Sequence, residues 1–239
     1  MIVEKNQNYY HISMKSAFIA AFIFFFYTAG AQKMQTFKGE CGSFFETMPH
    51  LHKIRQSELD FFQFKPGQMV ASVGAGCGHW EAAYAAATDS VTFYLEDIDT
   101  TTLNNRHADF AWNYYAKLRG KPMTSHYKLV VGDERSTSLP ENTFDKILII
   151  NSFHEFSYPS EMLADIKKKL KAGGILYIDE ALPKRPGQLH GICKKPMLTS
   201  YETIELFSKH GFELVNALEF NFRQKIPSRK IFAFKKIKS

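Results

Sequence analysis

The nine residues Val70-Ala71-Ser72-Val73-Gly74-Ala75-Gly76-Cys77-Gly78 restrict this chain more than any others. An apolar run that passes straight into three glycines, each two apart, reads as a buried strand ending in a tight loop, with a helix opening near Trp80. Glycine permits the turn and lets a ligand meet the backbone, where a Cβ would block both. The spacing is G-x-G-x-G, and His79 stands where a dinucleotide fingerprint needs glycine, which weakens a pyrophosphate-binding reading.

From Met69 onward, short apolar strands alternate with helical stretches, each bounded by Gly, Pro, Asn or Asp, the rhythm of βαβ units and a mostly parallel sheet. Candidate strands are Met69 to Val73, Val91 to Leu95, Tyr127 to Val131, Lys146 to Ile150 and Gly174 to Ile178. The spacing of Met162, Leu163, Ile166 and Leu170 predicts an amphipathic helix over Glu161 to Leu170, ended by Gly173-Gly174, with Lys167 to Lys169 on its solvated face. After a helix over Ser200 to His210, Phe212 to Arg223 and Lys230 to Ile237 read as an antiparallel hairpin joined through Ile226-Pro227-Ser228. The aromatic-rich Gln32 to Phe64 is expected to be helical and to cover an edge or mouth of the sheet. At 239 residues and 45% hydrophobic, the chain can bury a core without staples. Its three cysteines, Cys41, Cys77 and Cys193, make neither a disulfide framework nor a metal spacing, so the fold rests on packing. The net charge of +6 comes without the basic run that nucleic acid requires.

Acids stand at the ends of the second and third of these strands, and another leads into the fourth. Glu96-Asp97 closes the second, with Asp97 19 residues past Gly78, and a carboxylate there can accept both hydroxyls of a ribose. Gly132-Asp133 closes the third, where Asp133 can accept an adenine amino hydrogen; Leu139-Pro140 and Phe144-Asp145 follow. Any one such acid is as readily a cap or a solvated loop residue. Three in register point instead to an adenosine-like ligand.

With VGAGCG, LEDID, GDERSTSLPENTFD and LKAGGILYID in order, the chain resembles the class I S-adenosylmethionine-dependent methyltransferases over roughly Phe64 to Ile237. The resemblance implies a Rossmann-like, seven-stranded, mostly parallel α/β sheet of order 3-2-1-4-5-7-6 with a C-terminal antiparallel hairpin. S-adenosylmethionine would lie across the carboxyl ends of the strands. By position, Gly74, Ala75, Gly76 and Gly78 approach the methionine part, Asp97 the ribose with Glu96 as runner-up, and Asp133 the adenine. The family usually has an acid two residues before the first glycine, and here that residue is Ser72.

Asn151-Ser152-Phe153-His154-Glu155-Phe156 follows the fourth strand, where the family faces both the cofactor and the methyl acceptor. With Ser157-Tyr158-Pro159 it resembles a subgroup that carries HEF-type motifs behind a signal peptide. Asn151 and His154 are the candidate catalytic residues, His154 as proton acceptor. The competing reading has His154 shaping the loop through a hydrogen bond. Tyr158 stands where a zinc-protease H-E-x-x-H would need histidine. His190 and Cys193 lie in the long connection after the fifth strand; two residues do not make a metal site, and no metal is expected. Phe44, Phe45, Phe61, Phe62 and Phe64 either roof the acceptor pocket or belong to the core.

Ala17 to Ala31 is apolar but only 15 residues long, short of the roughly 18–20 that span a bilayer as a helix. Met14-Lys15 before it and Ala29-Gly30-Ala31 after it complete the pattern of a signal peptide, with Met14 a possible start. The expectation is cleavage after Ala31, leaving residues 32–239 as one methyltransferase-like domain, exported from a bacterial cytoplasm and without a lasting membrane span. Retention in the cytoplasm is the alternative. Functionally, the sequence points to methyl transfer to a small-molecule or protein acceptor that it does not identify. Its rivals are an exported, non-catalytic nucleoside-binding domain of the same fold, favoured by Ser72 and the export signal, and an NAD-dependent oxidoreductase, disfavoured by the glycine spacing.

Overall fold

A computed structural model describes residues 41, 44–220 and 228–237. Its elements in chain order are α1 (Met48–Phe62), β1 (Met69–Val73), α2 (His79–Ala87), β2 (Thr92–Asp97), α3 (Asn105–Arg119), β3 (His126–Val131), β4 (Phe144–Ile150), a 3-10 turn (Phe153–Glu155), α4 (Pro159–Lys169), β5 (Leu170–Ala181), α5 (Ser200–Lys209), β6 (Phe212–Phe220) and β7 (Arg229–Lys236). The seven strands form one sheet of order β3-β2-β1-β4-β5-β7-β6. Strands β1 to β5 pair in parallel, and β7 runs antiparallel to both β5 and β6. The expected order and closing hairpin are both present; residues 221–227, which include most of the expected turn, lie outside the described residues, as do 1–40.

Helices cover both faces, so the central strands are buried on two sides and read as continuous apolar runs. Alternation along each strand divides the core. Val70, Phe93, Leu148 and Tyr177 face α1, α2 and α3 with Tyr84, Trp112 and Tyr115. Ala71, Val73, Ile147, Ile149, Leu176 and Ile178 face α4 and α5 with Met162, Leu163, Ile166 and Phe207. Phe44, Phe45 and Phe62 are buried in the first of these layers and Phe61 and Phe64 pack against it, so these rings are core. Helix α1 lies on a face of the sheet rather than at an edge or mouth. Its buried Glu58 accepts from Tyr84 Oη at 2.8 Å and pairs with Arg229 of β7, which also grips Asp179 of β5.

Strand β2 ends two residues later than expected, β3 starts one and β4 two residues earlier, β5 runs four residues earlier and three later, and two readings need correction. Helix α4 ends at Lys169 and not at the glycines; Gly173 and Gly174 belong to β5, in a stretch where its register against β4 jumps between Phe144 and Lys146. Gly174 is needed because a Cβ there would come within 2.8 Å of the Phe144 carbonyl oxygen. Lys169 is not on a solvated face: it is buried and paired with Asp165 at 3.1 Å. No helix among the described residues is long and apolar enough to cross a membrane.

Candidate active site

Sheet order reverses at β1, with β2 on one side and β4 on the other, and in open α/β sheets ligands bind in the crevice at that point. The crevice is a cleft of about 260 Å³ lined by Gly74, Gly76, Glu96, Asp97, Asp133 and Asn151, together with Val73, Ile98, Glu134, Ser152 and the segment from Glu155 to Ser157. The expected cofactor residues thus converge on one cavity, except Ala75 and Gly78, which shape the loop from behind it: the Ala75 amide donates to the Glu96 carbonyl and the Gly78 amide to the Ala75 carbonyl.

Both acids at the end of β2 hold the glycine loop. Asp97 Oδ2 accepts the Gly76 amide at 2.8 Å, and Oδ1 accepts the Asp99 amide at 2.9 Å. Glu96 is buried, and its Oε1 has no hydrogen-bond partner. Burial, reinforced by the Asp97 charge, raises its pKa to about 8 against the pull of the Gly74 amide. Asp133 is exposed, and its Oδ1 caps its own turn by accepting the amides of Arg135 and Ser136.

Gly74 and Gly76 have φ of +71° and +54°, where side-chain-bearing residues are strained. Their surroundings differ. A Cβ on Gly74 would meet Ser152 Oγ at 2.6 Å, so this glycine lets the loop touch the segment after β4. A Cβ on Gly76 would meet only Thr102, at 3.9 Å. Protein packing therefore does not demand a glycine at 76, and the space left there suits a ligand against the backbone.

Ser72, where the family usually has an acid, is buried and donates to Glu81 Oε1 of α2 at 2.6 Å. Sequence reasoning missed Glu81. A carboxylate does occupy this region, delivered from the helix instead of the strand, and burial raises its pKa to about 7. Its signal was an acid in the first turn of an otherwise alanine-rich helix.

Beyond β4, Asn151 adopts φ +52°, tolerable for asparagine, and its amide donates to the Asp179 carbonyl at 2.7 Å. His154 is held by a group the sequence did not single out. Its Nδ1 lies 2.8 Å from Glu180 Oε2 at the end of β5, and Glu180 Oε1 accepts the His154 amide at 3.4 Å. The hydrogen bond to Glu180 raises the imidazole pKa, with burial opposing it. Nε2 is buried without a hydrogen-bond partner.

Sheet order, antiparallel end and crevice are those of the Rossmann-like class I methyltransferase fold. Residues 73–178 match the family model of the methyltransferase domain, which supports methyl transfer as the domain's chemistry and S-adenosylmethionine as its cofactor. No curated protein matches the chain by sequence. Among solved structures it is similar to 1,6-didemethyltoxoflavin-N1-methyltransferase of Burkholderia thailandensis, at 18% identity and TM-score 0.55, covering 99% of this chain and 94% of that one. A methyltransferase of Aquifex aeolicus is 20% identical over 78% of this chain and 97% of its own, with TM-score 0.55. The cyclase SpnF is 16% identical over 84% and 86%, with TM-score 0.60. At these identities the likeness is one of fold, and the fold supports more than one chemistry.

Proposed function

We propose that the cleft binds S-adenosylmethionine and that the domain transfers its methyl group to an acceptor entering over the loops that follow β4 and β5. The observation carrying this reading is the convergence of Gly76, Asp97, Asp133 and Asn151 on one cleft at the switch point of the sheet. The residues fit the cofactor: at Gly76 the backbone is open to a ligand, and the carboxylates of Asp97 and Asp133 stand at neighbouring strand ends. When bound, the cofactor supplies an electrophilic methyl on a sulfonium, displaced in line.

The chain's own task is then alignment and exclusion of water. Gly74, Ala75, Gly76 and Gly78 hold the backbone against the methionine part, and Asp97 accepts the ribose hydroxyls, with Glu96 beneath it. Asp133 faces the adenine. Asn151 stands between the cofactor and the acceptor. Where the acceptor carries a proton, Glu180 leaves His154 Nε2 as the ring nitrogen to receive it. The subgroup with an HEF motif behind a signal peptide, and export with cleavage after Ala31, belong to the same proposal. N-terminal sequencing of the protein from fractionated cells tests them, and a cytoplasmic product retaining Ala17 to Ala31 would defeat export.

Calorimetry with S-adenosylmethionine, S-adenosylhomocysteine and NAD tests the cofactor reading. Binding of the two adenosyl ligands and not of NAD is expected. Binding of NAD alone would replace the reading with an oxidoreductase.

A further inference from the structure

We propose that His154, His190 and Cys193 form a zinc site at the acceptor end of the cleft, with three protein ligands and a fourth position for water or a substrate group. One ligand atom from each residue lies within 4.8 Å of the others. The imidazoles of His154 and His190 have ring centroids 4.4 Å apart, and His190 Nδ1 lies 3.1 Å from Cys193 Sγ. Tetrahedral zinc with Zn–N near 2.0–2.1 Å and Zn–S near 2.3 Å sets its ligand atoms about 3.3–3.6 Å apart. The His190–Cys193 pair would open by a few tenths of an ångström to take the ion, and a movement of about 1 Å by the loop would bring in His154.

Two features separate this cluster from an accidental meeting of side chains. First, the His154 side chain is only 5% exposed, yet its Nε2 has no hydrogen-bond partner; the nearest carboxylate, Glu155 Oε1, is 3.8 Å away. A buried polar atom left unmatched is costly unless something fills the vacancy. Glu180 on Nδ1 fixes the tautomer that leaves the Nε2 lone pair free, the carboxylate–histidine–metal arrangement that orients ligating imidazoles. Second, His190 and Cys193 are displayed by a closed turn. Leu189 bridges Pro196, the His190 amide donates to the Lys195 carbonyl at 2.8 Å, and Lys194 takes φ +59° to close the loop. This turn puts the two ligands of an H-x-x-C pair on one side and leaves the third to come from the segment after β4.

Imidazole and thiolate donors select zinc or a similarly thiophilic cation over magnesium or calcium. Ser152 and Glu155, two residues before and one after His154, line the cleft. A cation there would sit beside the acceptor, where a bound thiol or water loses its proton readily. Nε2 on a metal no longer accepts a proton, so zinc would change His154 from base to ligand.

The test is calorimetric titration of chelator-treated full-length protein with Zn²⁺, together with absorption spectra after Co²⁺ substitution, both without adenosyl ligand. One equivalent of zinc and a thiolate-to-cobalt charge-transfer band are expected. Cys193→Ser should remove that band and weaken zinc at least tenfold. His190→Gln should weaken zinc similarly while keeping the band, and Glu180→Gln should cost about 10–100-fold. Retained binding of S-adenosylhomocysteine shows that each variant is folded and reports separately on the cofactor reading. No stoichiometric zinc, or affinity unchanged in both Cys193→Ser and His190→Gln, overturns the site.

Discussion

The two halves of the cleft are built on different principles. On the β1–β2 side, neighbouring segments make the site: the glycine loop is held by Asp97 and Glu96 of the adjacent strand through their bonds to the loop backbone. On the β4–β5 side it depends on residues far apart in the chain, with His154 after β4, Glu180 at the end of β5 and His190 in the following connection. The first half can be read as consecutive motifs, while the second exists only after the strands have paired.

The severest break is at the seam between the halves. Gly74→Val would put a branched side chain at φ +71°, with its Cβ 2.6 Å from Ser152 Oγ, whose hydroxyl donates to the Val73 carbonyl. Backbone strain and overpacking together should cost roughly 3–5 kcal/mol in urea unfolding. Gly76→Ala has only Thr102 nearby and should cost about 1–2 kcal/mol of left-handed strain while abolishing cofactor binding. Equal stability losses would show that the loop does not lean on the β4 side.

Next in size is Asp97→Ala, which should weaken S-adenosylhomocysteine by about 1.5–3 kcal/mol in calorimetry, the range for hydrogen bonds to a charged group. Glu180→Gln, on the other half, should leave that affinity unchanged. If Asp97→Ala binds normally, the ribose role passes to Glu96 or the cofactor assignment fails.

Glu96 gives the cleft a pH dependence. Its folded pKa of about 8 lies above the ordinary 4.5, so between these values the folded protein holds a proton that the unfolded chain has released. Stability should fall as pH rises through that window, and Glu96→Gln should flatten the fall. Urea midpoints at pH 5, 6.5 and 8 measure it. A profile that Glu96→Gln leaves unaltered would place the ionisation elsewhere.

What the sequence made legible follows the same division. Contiguous apolar runs, with glycine or an acid at their ends, made the strands and Gly74, Gly76, Asp97 and Asp133 legible, whereas sheet order, the crevice and the place of Asn151 came from the resemblance to class I S-adenosylmethionine-dependent methyltransferases. Gly173 and Gly174 misled because glycine after a helical pattern usually marks its end, whereas here it lets β5 pass the Phe144 carbonyl. Asp179 and Glu180 are adjacent acids that β5 sends in opposite directions, one to Arg229 and the other to His154. Alternation could have separated them, but not named their partners. Glu81 escaped notice because a single helical acid has no pattern until Ser72 is beside it.

Ser72 and Glu81 carry the smallest effect and the sharpest test of the first half. The Ser72 hydroxyl holds Glu81 Oε1, while Oε2 is buried without a partner. Burial brings the folded pKa of Glu81 to about 7, and the bond from Ser72 opposes that rise. Ser72→Ala should therefore cost about 1 kcal/mol of stability, the net worth of one hydrogen bond, with the cost greater at pH 8, where the carboxylate is ionised, than at pH 5.5, where it is protonated. Glu81→Gln keeps the shape without the charge and should reduce the decline in stability between pH 4.5 and 7. In the double variant the pH-dependent part of the Ser72→Ala cost should vanish, because the amide that replaces the carboxyl does not ionise. Glu81 does not line the cleft, so neither change should alter S-adenosylhomocysteine affinity. A loss of affinity in Glu81→Gln alone would mean that the helix acid reaches the ligand, taking over the contact that an acid at position 72 would otherwise make.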